Sequence, residues 1–449
     1  MRSAFHARRA LLPSGWAADV RIACDARGVI AEVTPGARPE AERRLAGHVV
    51  PGVPNLHSHS FQRAMAGRAE RRSPAGHDSF WTWREAMYRV ALRITPEQAE
   101  AVAAQLQAEL LARGFTQLVE FHYLHHQPDG TPFDEPAEMA LRQLAAAEAS
   151  GMGVTLAPSL YRHGGIFGLP AAEAQWRFLN DADGFARILG RVRSAVAGHA
   201  RHAWAVAPHS LRAVSPAMLA EVASLDAPLH LHIAEQPREV EECLAATGQR
   251  PVEWLLDHAP VDRRWCLIHA THMTARETER LAATGAVAGL CPTTEASLGD
   301  GTFALPGWLA AGGRLGLGTD SHVGLCPAGE MRQLETSQRL RDGARSVAGE
   351  RPGRALLDAA LTGGAQAAGV GMGALVPGLR CDLVELDDRH PCLLGAEGDA
   401  LLDAWTLGPP DRVVRTAVVA GRAVVEGGRH IRERSILEGF ERAMRTLWA

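Results

Sequence analysis

The sequence predicts an α/β protein: a (β/α)8 TIM barrel with a small β-sandwich built from both chain ends. Three observations predict it. Eight short apolar runs alternate with amphipathic, alanine-rich segments, and strands that alternate with helices imply parallel βα units. The two ends carry strand-like patterns unlike the middle. With 449 residues the chain is too long for one small core and suits a large catalytic domain with an accessory part.

In chain order, "ADVRIACDARGVIAEVTPG" reads as two short alternating strands around a "DARG" turn. The run "HVVPGVPN" then opens the barrel. A helix follows in "TPEQAEAVAAQLQAELLARG", with Thr95 as N-cap, Pro96 at the first helical position and Gly114 as the stop. The runs "TQLVEFH", "VTLAPSL", "AWAVAPHS", "PLHLHIAE", "WCLIHATH", "AVAGLCPTT" and "RLGLGTDSH" supply the other barrel strands. Near the end, "RCDLVELDD" and "RVVRTAVVAGRAVVEGG" are strand-like again, with a Gly-Arg turn inside the second. The expected division is 1–50 and 373–449 for the two parts of the sandwich, the second with a terminal helix, and 51–372 for the barrel.

Composition narrows the chemistry. A net charge of -4 and an ordinary apolar fraction point to no nucleic-acid and no membrane partner. The N-terminus is basic but has no apolar signal region, and no run is long enough to span a bilayer, so a cytoplasmic location is expected. The seven cysteines are scattered singly, without a C-x-x-C pair, which argues against a disulfide framework or a thiolate zinc site. The sequence contains no lysine. That excludes a Schiff-base lysine, a pyridoxal-phosphate enzyme, a Walker P-loop and a carboxylated lysine bridging two metals.

The polar residues of the apolar runs lie at their C-terminal ends: His57 and His59, His122, His209, His232 with Glu235, His269 and Asp320. In this barrel, active sites form at that end. His57 and His59 stand at i and i+2, which share a face in a strand. With His232 and Asp320 they offer three nitrogens and one oxygen to a single divalent ion, with a position left for water. His230 bears the same i, i+2 relation to His232; His232 is preferred because it lies nearer the strand end, in "HIAE". Imidazole and carboxylate donors suit zinc, iron or manganese. Glu235 is placed to protonate a substrate nitrogen, and Asp320 to take a proton from water and pass it to the leaving group. His269 is placed to hold the attacking oxygen in line or to polarise the bond.

The motifs "PGVPNLHSHSFQRAMAG", "HIAEQ", "IHATH" and "LGTDSH" resemble the amidohydrolase superfamily of metal-dependent hydrolases, in its mononuclear, lysine-free deaminase branch. "HSFQRAMAG", "FWTWRE", "EFHYLHH", "HSLRAV" and "CPTTEASLGDG" resemble the N-formimino-L-glutamate deiminase family within that branch. The resemblance covers nearly the whole chain. It implies hydrolysis of a formimino C=N to N-formyl-L-glutamate and ammonia in histidine degradation, with one zinc. It implies His57, His59, His232 and Asp320 as ligands, and Glu235, His269 and Asp320 as catalytic groups. It further implies substrate contacts from Gln62, Arg84, Tyr123, His209 and Arg212, and a homodimer. The small-molecule substrate carries two carboxylates, which call for arginine forks; Arg84 and Arg212 are expected in loops after the first and fourth strands. Deaminases of guanine, cytosine or adenosine-like compounds, and hydrolases removing chloride or an amide group, share such a metal core. A non-catalytic barrel scaffold is the alternative from another class.

Overall fold

The computed structural model describes residues 3–70, 79–409 and 412–449. The eight apolar runs form the barrel strands Val53–Ser58, Phe115–His122, Gly153–Leu160, His202–Trp204 continued by Ala207–Pro208, Leu229–Ile233, Trp265–His269, Val287–Leu290 and Arg314–Leu317. Neighbouring strands pair in parallel. Single bridges complete the ring: Val206 and Ser210 meet the fifth strand at Leu229 and His232, and Ser58 meets Asp320. Strands covered on both faces read as continuous apolar runs, and every residue of Gly153–Leu160 is buried.

Local chemistry starts and stops the helices. For Pro96–Leu111, the Thr95 hydroxyl accepts the Gln98 N–H while the Gln98 carboxamide accepts the Thr95 N–H, a reciprocal cap that satisfies two otherwise orphaned donors. The helix ends at Leu111, earlier than the Gly114 stop; Gly114 instead turns the chain into the next strand.

The chain ends form one eight-stranded sheet. Its N-terminal strands are Ser3–Leu12, Gly15–Cys24, Ile30–Thr34 and Arg43–Pro51; the C-terminal ones are Leu383–Leu386, Val414–Val419, Arg422–Glu426 and Arg429–His430. Arg43–Pro51 and Leu383–Leu386 pair antiparallel and join the two halves. The sandwich encloses Phe5, Val20, Ile22, Leu45, Leu383 and Val418. The run "HVVPGVPN" is therefore shared, its first half ending a sandwich strand and its second half opening the barrel. A buried Arg380–Asp382 pair ties the two parts together, because Arg380 also donates to the barrel's Gln117 at 2.8 Å.

The last helix, Glu433–Leu447, returns to the barrel and packs Phe440, Met444 and Leu447 against it. Just beyond, the Trp448 indole N–H donates to the Ala64 carbonyl at 3.3 Å, and Arg68 lies 4.2 Å from the centre of its ring. No helix among the described residues is long and apolar enough to cross a membrane.

Candidate active site

The segment "HSHS" divides its side chains by alternation. His57 and His59 turn to the barrel axis, and Ser58 and Ser60 turn away onto the buried carboxyl of Glu120. Ser58 donates to it at 2.8 Å, and the Ser60 backbone N–H at 2.9 Å. Burial pushes the Glu120 pKa up to about 7. The serines therefore lock the turn that aims the histidines. His59 lies one residue past the strand, at the start of the 3-10 turn Ser60–Met65, so the pair converges although only His57 is in the ladder.

Asp320 follows the eighth strand. Its N–H donates to the His57 carbonyl at 3.0 Å, and the His59 N–H donates to the Asp320 carbonyl at 3.2 Å. Gly318 makes this approach possible, because a Cβ there would stand 2.8 Å from the His57 Cβ and 3.0 Å from the Cys291 sulfur. Asp320 and His269 both hold positive φ, 44° and 68°, a strained backbone of the kind found where side chains are aimed for function.

These side chains fit a metal ion. His59 Nδ1 donates to the Phe121 carbonyl at 2.8 Å and His232 Nδ1 to the His209 carbonyl at 3.0 Å. Each proton is thereby assigned to Nδ1, and the bare Nε2 atoms face each other at 3.3 Å. Two lone pairs so placed repel unless a cation lies between them. His57 Nε2 is 3.1 Å from His232 Nε2, and Asp320 Oδ1 lies 3.6 and 3.5 Å from His57 and His59. A tetrahedral ion with bonds of about 2.1 Å sets its donors about 3.4 Å apart. Burial pushes the His57 and His232 pKa values well below the ordinary range and lowers that of His59, which keeps the imidazoles neutral, as ligation requires. His230, the alternative, instead reaches the Ala367 carbonyl at 2.9 Å and is outside the cluster.

Beside the cluster, His269 Nε2 lies 3.6 Å from Glu235 Oε1 and 4.0 Å from Asp320 Oδ2. Its Nδ1 faces Glu295 Oε1 at 3.3 Å, and the same oxygen accepts the Cys291 N–H at 2.8 Å. Burial alone would lower the His269 pKa, but Glu235, Glu295 and Asp320 outweigh it and raise the value to about 10. The Glu235 pKa is raised by burial, which suits a group that must carry a proton. Glu239 fixes the local backbone by accepting the Ala234 and Glu235 N–H groups at 3.1 and 3.2 Å.

Gln62, Arg84, Tyr123, His209 and Arg212 all line the cleft above. Gln62 donates to the Tyr123 hydroxyl at 3.0 Å, and the His209 ring lies 4.9 Å from that of His232. Arg212 is buried; its Nε has no hydrogen-bond partner among the described residues, and its nearest carboxylate, Glu235, is 3.9 Å away. Arg84 lies not in a loop but on a helix, Phe80–Ala91, where its Nε donates to the Tyr88 hydroxyl at 2.7 Å. His122 ends its strand as expected but does not line the cleft; its ring faces His125, with centroids 5.6 Å apart.

Several contributors escape a reading of the sequence. Tyr88 and Tyr161 join the expected Tyr123 in lining this cleft, and Phe178 contacts the rings of all three. Glu120 braces the turn bearing His59, and Glu295 faces Nδ1 of His269. Glu295 sits in a motif quoted above, but a single acid in a polar turn carries no signal of its own.

The residues 48–424 match the model of the amidohydrolase family, and residues 2–47 match that of the formimidoylglutamate deiminase HutF N-terminal domain. The chain is 50% identical to a formimidoylglutamate deiminase from Pseudomonas aeruginosa, covering 99% of both. It is 30% identical to an 8-oxoguanine deaminase from the same organism, over 84% of this chain and 82% of the relative. Among solved structures, an amidohydrolase from Brucella melitensis superposes with a TM-score of 0.95 at 49% identity, covering 100% of both chains. A zinc-bound adenosine deaminase from Xanthomonas campestris shares the fold, with a TM-score of 0.81 at 21% identity over 99% of this chain and 98% of that one.

Proposed function

Since the chain belongs to the amidohydrolase family, in its formimidoylglutamate deiminase branch, we propose that it hydrolyses N-formimino-L-glutamate to N-formyl-L-glutamate and ammonia, a step of histidine degradation. The observation that carries the substrate is Arg212, a mostly buried guanidinium whose Nε has no hydrogen-bond partner among the described residues and whose nearest carboxylate, Glu235, is 3.9 Å away, beside a cleft that also presents Arg84. A guanidinium held out of water with no direct hydrogen bond to a carboxylate is costly; a substrate carboxylate supplies that bond, and a neutral purine would not.

The site takes one divalent ion held by His57, His59, His232 and Asp320. Zinc is the proposed metal, because the donor set suits it and the adenosine deaminase of the same fold carries it. The bound ion lowers the pKa of water and polarises the C=N bond. Every other step belongs to this chain's side chains. Asp320 takes a proton from the attacking water while Glu235 protonates the imino nitrogen. His269 donates to the attacking oxygen through Nε2, which points at Glu235 and Asp320. When the tetrahedral adduct collapses, Asp320 returns its proton to the departing nitrogen, Glu235 recovers the hydroxyl proton, and ammonia leaves. Arg84 and Arg212 grip the two carboxylates, with Gln62, Tyr123 and His209 completing the polar wall.

The proposed division of the chain is 1–50 and 373–449 for the sandwich with the terminal helix, and 51–372 for the barrel, in keeping with the pairing of both chain ends in one sheet. A cytoplasmic homodimer completes the reading, supported by the metabolic family to which the chain belongs. The deciding experiment is ammonia release from N-formimino-L-glutamate by metal-loaded protein, with Arg84→Met and Arg212→Met alongside. Rapid release that both variants lose supports the reading. No release with one metal bound per chain would sink the substrate and keep the metal centre.

A further inference from the structure

We propose that Asp300, in the "CPTTEASLGDG" segment, is a positioning residue for the reaction: a carboxylic acid kept un-ionised behind Glu235 and His269, whose hydroxyl proton faces the Glu235 carboxyl and stabilises it whenever Glu235 has given its own proton away. The proposal rests on the reading of Glu235 as the proton carrier.

Position comes first. One oxygen each from Glu235 and Asp300 and one nitrogen of His269 lie within 4.8 Å of one another. Asp300 is 1% exposed, and its Oδ2 has no hydrogen-bond partner among the described residues. Its Oδ1 accepts from the side-chain amide of Gln236, the residue after Glu235 in the chain. The placement is built rather than accidental. The Asp300 N–H donates to the Glu295 carbonyl at 2.9 Å, and its own carbonyl accepts from His272 Nε2 at 2.7 Å. Gly301 leaves the turn at φ +125°, where a Cβ would stand 3.2 Å from the His272 ring. One short segment therefore supplies both Glu295, which faces Nδ1 of His269, and Asp300, which brings an oxygen within 4.8 Å of donor atoms of Glu235 and His269.

Charge decides the protonation state. An ionised Asp300 would be a buried carboxylate with a single neutral donor, close to Glu235, Glu295 and Asp320, with His269 as its nearby cation. Like charges crowded out of water do not all ionise. Burial, reinforced by Glu235, accordingly pushes the Asp300 pKa up to about 9. In the cycle above, Glu235 loses one proton to the leaving nitrogen and regains one from the adduct hydroxyl. Asp300 keeps its proton throughout and lends it as a hydrogen bond to the empty Glu235 carboxylate, so no net proton is consumed.

The test measures kcat and KM for ammonia release by metal-loaded Asp300→Asn, Asp300→Ala and Glu235→Gln, together with metal content per chain and infrared difference spectra. Asparagine keeps a donor and an acceptor, so D300N should stay within about threefold of the parent kcat, while D300A should lose about tenfold or more with KM within about twofold. The protonated-carboxyl C=O stretch should be present at neutral pH and vanish in D300N. D300N as slow as D300A would show that an anion is required and overturn the proposal. An unchanged kcat in D300A, or the absence of the infrared band, would overturn it equally. If D300A binds no metal, D300N and the infrared band decide alone. Full activity of E235Q would sink the parent reading instead, with the infrared result left standing.

Discussion

Replacing Arg212 by methionine keeps most of the apolar stem of the side chain and removes its charge. In the parent, the guanidinium side chain is 14% exposed and its nearest carboxylate is 3.9 Å away, beyond hydrogen-bond length. The N–H groups that line the cleft are therefore free to meet a ligand carboxylate. Two charge-assisted bonds at about 1.5–3 kcal/mol each place the loss near 4 kcal/mol, which is about a thousandfold in kcat/KM at about 1.4 kcal/mol per decade. Part of the loss falls on kcat, because Arg212 also opposes the rise of the Glu235 pKa that burial imposes. The assay is a cycle of two enzymes and three substrates: the formimino derivatives of glutamate, of 4-aminobutyrate, which lacks the α-carboxylate, and of 2-aminobutyrate, which lacks the γ-carboxylate. For the derivative missing the carboxylate that Arg212 holds, parent and variant should be nearly equal. A fall below about threefold on the full substrate, or equal falls on all three substrates, would refute the carboxylate clamp.

Other consequences are equally direct. His232→Ala should drop bound metal from one per chain to a small fraction and abolish turnover, read by elemental analysis; full metal content would remove His232 from the ligand set. Arg177 is a buried cation whose guanidinium meets the carbonyls of Ala91, Ile94 and His126. It ties down the end of the helix that carries Arg84, so Arg177→Met should cost about 3 kcal/mol or more by orphaning those carbonyls and raise KM more than it lowers kcat. A stable variant with unchanged KM would refute this. Glu330 is fully buried, accepts from Thr293 at 2.6 and 2.9 Å, and has its pKa pushed up by burial to about 8. Because the folded state binds this proton more tightly than the unfolded chain, the group favours folding most below its ordinary pKa of 4.5, and that advantage is lost as pH rises to about 8. Glu330→Gln should therefore melt progressively higher relative to the parent between those limits; a difference independent of pH would contradict the assignment.

Barrel strands were legible because a parallel strand covered on both faces must be apolar along its length, and the polar residues that interrupt it stand out. The cluster was legible for the same reason: His57, His232 and Asp320 end apolar runs, and the fold brings them together. What stayed hidden depends on contacts distant in sequence. Ser58 and Ser60 read as an ordinary polar turn until Glu120, 62 and 60 residues away, is seen to accept from both. Arg84 reads as a loop residue because "FWTWRE" lies in the connection after the first strand, yet Ser79 caps a helix there and Phe80, Met87 and Val90 form its buried stripe. His122 misleads by position alone: adjacent strand residues face opposite ways, and Phe121 takes the inward place against His57 and His232.

The bracing of Ala64 by Trp448 spans 384 residues, and the strand that precedes the first barrel strand waits for Leu383–Leu386 as its partner. During synthesis, the turn bearing His59 and Gln62 leaves the ribosome early and gains Glu120 as its anchor long before Trp448 arrives to brace its far end. A nascent barrel holding His57 and His59 has neither His232 nor Asp320 beside it, so the four-residue cluster closes only once the eighth strand has been made.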